Sequence, residues 1–67
     1  MSKEGKFLVF CMECYRAEKG LTGREVSELF AKYGVSDYVM QYFDSLHTTG
    51  VKYIVADIAD YISKHAA

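Results

Sequence analysis

The sequence predicts an all-α fold, a compact bundle of four short helices with a helix-turn-helix-like corner between the second and the third. Three observations carry that expectation. Apolar residues recur every three or four positions in four successive blocks, the period of a helix that buries one face. Start and stop signals separate the blocks: Gly20, the Thr22 and Glu25 pair, and Gly34. The chain has no proline, and its one strand-like run, Phe7–Phe10, has no second run of similar strength to pair with. The 67 residues are expected to form one domain, 1–67.

The first helix is expected over about Lys3 to Lys19, with Phe7, Leu8, Cys11, Cys14 and Tyr15 on one face and Lys6, Glu13 and Arg16 on the other. Gly20 suits the left-handed position that ends a helix, and Leu21 can reach back to Tyr15. The second helix lies in "LTGREVSELFAKYGV". Thr22 and Glu25 form a capping box, Leu21 and Val26 the hydrophobic staple around it, and Val26, Leu29, Phe30 and Tyr33 the apolar stripe. Gly34 ends it, with Val35 folding back on Phe30.

The third helix is expected to start at once, with Ser36 as N-cap, Asp37 against the helix dipole and a Val35–Met40 staple. Its stripe is Val39, Tyr42, Phe43 and Leu46. The fourth covers about Val51 to His65, with Val51, Ile54, Val55, Ile58, Tyr61 and Ile62 facing inward. Between them stands "DSLHTTG". Helix punctuation explains every residue type in it: His47 in a last turn, Thr48 or Thr49 capping the next helix, and Gly50 allowing a sharp approach. The competing reading makes His47 an acid–base group beside a threonine, which needs a third orienting group and a pocket. The first and fourth helices carry the most apolar residues and should form the central pair.

Bulk composition narrows the function. Apolar residues make up 51% of the chain, at or above the usual globular level of about 45–50%, so disorder is disfavoured. No stretch reaches the roughly 18 apolar residues of a membrane span. The run Phe7–Met12 is short and lacks a small-residue cleavage site, so a signal peptide is not expected. Two cysteines are too few for a disulfide scaffold, and a reducing, cytoplasmic setting is expected. A net charge of −1 offers nothing to nucleic acid.

Each chemical motif has a structural explanation. Cys11 and Cys14 form a CxxC, but mid-helix on an apolar face, where burial raises a thiol pKa rather than lowering it. Zinc would need two more ligands, and His47 and His65 are not spaced to supply them. Helix two, Gly34-Val35 and helix three resemble a helix-turn-helix, yet residues 35–50 hold Asp37 and Asp44 and no Lys or Arg. The carboxylate pairs Glu25/Glu28 and Asp57/Asp60 are expected on outer faces, without the apolar pocket that acid catalysis requires. No enzyme activity, metal or cofactor is therefore expected.

Six tyrosines are many for this length. Tyr15, Tyr33, Tyr42 and Tyr61 fall on core faces with their hydroxyls at the rim. Val9, Phe10, Met12, Tyr38 and Tyr53 fall off the stripes and are the candidate contact residues of a protein interface.

The segments "FLVFCMECY", "GREVSELFAKYGVSDYV" and "DSLHTTGVKYIVADIADYI" together resemble a family of short bacterial proteins catalogued as a domain of unknown function. The likeness covers nearly the whole chain, and the "LHTTG" block is its most specific piece. What the resemblance implies is a small companion of a toxin-like protein with an ADP-ribosyltransferase-type fold, hence an antitoxin- or immunity-like binder. It supplies no catalytic residues. The expected function is a non-catalytic protein–protein interaction module whose partner is a second copy, as in a homodimer, or a separate, toxin-like protein. The alternative is a helix-turn-helix-type transcriptional accessory that binds DNA weakly or through a partner.

Overall fold

A computed structural model describes residues 2–66. The helix expected from Lys3 forms as α1, Lys3–Lys19. Ser2 caps it, its hydroxyl accepting from the Gly5 amide at 3.0 Å. Gly20 ends it at φ 66°, ψ 36°, and the Gly20 and Leu21 amides both donate to the Arg16 carbonyl. Helix α2, Gly23–Lys32, opens on the expected capping box: Thr22 Oγ1 accepts from the Glu25 amide at 3.1 Å, and Glu25 accepts from the Thr22 amide at 2.8 Å.

The corner that follows is tighter than expected. Gly34, at φ 66°, ψ 29°, ends α2 and is also the N-cap of α3, Val35–Gln41, its carbonyl accepting from the Tyr38 amide. Ser36 is therefore inside the helix and caps nothing. The left-handed glycine reverses the chain in one residue, so α3 begins at Val35 and drives that side chain fully into the core. Met40 stays exposed, so the expected Val35–Met40 staple does not form.

The expected third helix is two. It breaks at Tyr42, φ −104°, ψ 24°, which is both C-cap of α3 and N-cap of α4, Phe43–Leu46. Neither glycine nor proline marks the break. Leu46 is buried and Phe43 half-buried, but Tyr42 turns outward rather than into the stripe. Thr48 and Thr49 also act in the opposite sense to that expected. Both hydroxyls donate to the Ser45 carbonyl, at 3.1 and 3.0 Å, and so close α4 instead of capping the next helix. Helix α5, Val51–Ala66, opens on the Gly50 carbonyl, which accepts from the Tyr53 and Ile54 amides. Gly50 does not have a positive φ, so its backbone does not require glycine.

The core is one cluster: Cys11 and Tyr15 of α1, Val26 and Phe30 of α2, Val35 and Val39 of α3, and Ile54, Val55 and Ile58 of α5. Tyr15 meets Phe30 edge-on at 5.9 Å between centroids. Helix α1 is the hub, packing on α2 as extensively as on α5 and also on α3, so the expected contact between α1 and α5 forms but the two are not a central pair apart from the rest. Among the described residues no polar or charged side chain is buried. Val51, expected inward, is exposed because it stands one turn before Val55, where α5 has only begun to meet α1.

Candidate interaction surface

The groups that might perform chemistry are committed to the fold. The His47 ring stacks on Phe43 at 4.4 Å and 5°, and its Nδ1 lies 2.7 Å from the Phe43 carbonyl. A carbonyl only accepts, so Nδ1 carries the hydrogen. His65 repeats the arrangement four residues after Tyr61, stacked at 4.1 Å with Nδ1 2.8 Å from the Tyr61 carbonyl. Each histidine thus adds a side-chain donor to the carbonyl four residues before it, and the Phe43 carbonyl also accepts from the His47 amide at 2.9 Å. The threonine hydroxyls beside His47 are turned to Ser45.

The CxxC lies in the middle of α1. Burial pushes the Cys11 thiol up to about 12, helped by the neighbouring Cys14. Cys14 is also raised, by burial first and then by the charge of Glu13. Both thiols are held in the unreactive protonated form. No group of three or more His, Cys, Asp or Glu that could hold a metal exists among the described residues.

Of the expected outward carboxylates, Asp57 is the exception. It is half-buried and accepts from the Tyr38 hydroxyl at 2.6 Å, joining α3 to α5. Burial, then that bond and the carboxylate charge, pushes the Tyr38 phenol up to about 12. Tyr38 also stacks on Tyr61 at 4.1 Å and leans on Tyr42 at 5.1 Å. Glu25 serves the capping box and Glu28 pairs with Arg24 at 3.3 Å.

The five expected contact residues divide. Val9, Phe10 and Tyr53 are exposed, by 48%, 45% and 71%. Met12 and Tyr38 are half-buried and pack against the core. Val9 and Phe10 are consecutive on a helix, hence about 100° apart, and point to different flanks. Phe10 stands one turn from Phe7 and from Cys14. Its ring lies 6.3 Å from that of Phe7, which meets Phe43 edge-on at 5.4 Å. Beyond Cys14 on the same flank opens a groove of about 560 Å³ between α1 and α5, lined by Cys14, Glu18, Lys19, Val51, Lys52, Val55 and Ala56. Val51, Met40 and Tyr42 are exposed apolar side chains that periodicity assigned to buried or stapled positions. For Val51 the available signal was its place as the first residue of a helix, where the inward stripe has no neighbour to meet.

No helix of the described residues is long and apolar enough to cross a membrane. Searches of curated proteins and of solved structures returned no match. A family model does match, over residues 6–65, which takes in all five helices apart from the first three residues of α1 and the last of α5. The chain belongs to the family described as Protein of unknown function (DUF3791).

Proposed function

We propose that the chain is a non-catalytic protein–protein interaction module. One observation supports this most: the two histidines, the two cysteines and the Tyr38–Asp57 pair are engaged with their own helices or the core, while the apolar side chains of Phe10 and Val51 stay exposed. A catalytic site concentrates perturbed, unsatisfied groups in a cleft, whereas an interface concentrates apolar and aromatic area. The toxin-like partner implied by the resemblance is one form of this reading. The DNA-binding alternative keeps the α2–Gly34–α3 corner but has no cation on the second helix of that corner to meet phosphate.

The test is photo-crosslinking in the native host with p-benzoylphenylalanine at position 10, and at the exposed Arg24 position as control. A discrete protein adduct from position 10 and none from position 24 is expected. No adduct from either position sinks the reading. A complex with duplex DNA that weakens steeply with salt would favour the alternative instead.

A further inference from the structure

We propose that the α1–α5 groove receives an amphipathic helix of a separate protein, one that brings bulky aliphatic side chains and an acidic flank. The proposal rests on the interaction-module reading and names the chemistry of the partner. The groove offers holes rather than knobs. Its apolar lining is Cys14 on α1 with Val51, Val55 and Ala56 on α5, none of them large. Val51 is 47% exposed and Ala56 is exposed as well, so the lining meets solvent. Helices pack by setting the side chains of one into the gaps of the other, so small residues on this side call for large ones on the other. An amphipathic helix supplies them from one face, as leucines or methionines three and four residues apart.

The charges along the groove are Glu18, Lys19 and Lys52, two cations against one anion on a chain whose net charge is −1. None of the three belongs to an ion pair; those among the described residues are Arg16–Glu13, Arg24–Glu28 and Lys64–Asp60. The cations stand on both walls, Lys19 on α1 and Lys52 on α5, so an acid on either flank of an incoming helix finds one. Lys52 is also the second residue of α5, whose first turn holds no acid, and the positive end of that helix adds to its field. The negative end of α1 close by is already met: the Gly20 and Leu21 amides donate to the Arg16 carbonyl, and Arg16 Nη1 donates to the Leu21 carbonyl at 3.3 Å. A second copy laid groove to groove matches on neither count, since it would bring small side chains to small ones and two more lysines to two.

The test uses two fluorescein-labelled helical peptides that share a leucine face and differ only in their flanks, glutamate in one and lysine in the other. Anisotropy titrations are expected to show the glutamate peptide binding about tenfold tighter or more, with an affinity that falls as salt rises. K52E should weaken the glutamate peptide by about threefold or more, and E18K should tighten it by a similar factor. Opposite signs from two substitutions in one groove are not what damage to the fold produces. A56F fills a hole from this side and should abolish binding, while R24E on α2 should leave it unchanged. Circular dichroism of each variant separates lost binding from lost folding. Vesicles of phosphatidylglycerol are the third probe, because an anionic membrane offers the same charge. Failure of the glutamate peptide to bind up to about 1 mM overturns the proposal. So do equal binding of the two peptides, indifference to K52E and E18K, and recruitment to the vesicles without binding of the peptide. A concentration-dependent dimer that A56F abolishes would put a second copy in the groove and overturn it too. If the glutamate peptide fails yet position 10 crosslinks to a different protein, the interaction-module reading stands and only this partner falls.

Discussion

Tyr38 and Asp57, nineteen residues apart, meet through a hydrogen bond of 2.6 Å that ties α3 to α5. It is a link between helices made by side chains rather than by apolar contact, and it sits at the rim of the core. Tyr38→Phe keeps the ring and its stacking on Tyr61 but leaves a half-buried carboxylate without its donor. The expected loss is about 1–2 kcal/mol, at the lower end because the site is partly wet. Since about 1 kcal/mol moves the midpoint of a domain this size by about 4–8 °C, thermal denaturation followed by circular dichroism resolves it. An unchanged midpoint would show that the bond adds no net stability.

The same residue gives the protein a weak side in alkali. The Tyr38 phenol titrates above its ordinary 10.0, near 12, and the Cys11 thiol above its ordinary 9.0, also near 12. Both hold their proton more tightly when folded. Above the unfolded values the unfolded chain binds fewer protons, so stability falls as pH rises. Their contributions are complete below about pH 9 and are lost progressively up to about pH 12. Urea unfolding between pH 8 and 12 should show that decline, with Tyr38→Phe removing the part above pH 10 and Cys11→Ala the part that begins at 9. A profile that is flat, or that steepens in either variant, contradicts the assignment.

The helices and most of the core were legible in the sequence, because burial of one stripe sets a period that side-chain identity reports directly. Cys11, Tyr15, Val26, Phe30, Ile54 and Ile58 follow it. What escaped was set by geometry that periodicity does not encode. The break at Tyr42 carries no breaker residue, so the stripe from Val39 to Leu46 reads straight through it. Thr48 and Thr49 are good N-caps by type, yet a hydroxyl also donates, and here both satisfy the carbonyl behind them. Tyr38 falls off the α3 stripe and is drawn inward only because Asp57 and Tyr61 lie opposite on α5. The groove is lined from two helices, and no single helix reports it.

The two threonines share one acceptor, so their contributions should not add. Replacing Thr48 or Thr49 alone by Ala leaves the Ser45 carbonyl satisfied by the other hydroxyl. Each single variant should lose about 0.5 kcal/mol or less, and the double variant more than the sum. Equilibrium urea unfolding of the three variants measures the coupling. Strict additivity would mean that the hydroxyls act independently.

Gly34 and Gly23 make a matched pair that separates conformation from space. At neither would an added Cβ meet an atom within 4 Å, but Gly34 sits at φ 66° whereas Gly23 is the first residue of α2. Gly34→Ala forces an L-residue into the left-handed region and should cost about 1–2 kcal/mol. Gly23→Ala fits its backbone and lowers the entropy of the unfolded chain, so it should be neutral or stabilise by up to about 1 kcal/mol. Opposite signs in thermal denaturation are expected. Equal effects would show that the corner between α2 and α3 does not depend on glycine, and that the full burial of Val35 beside it has another cause.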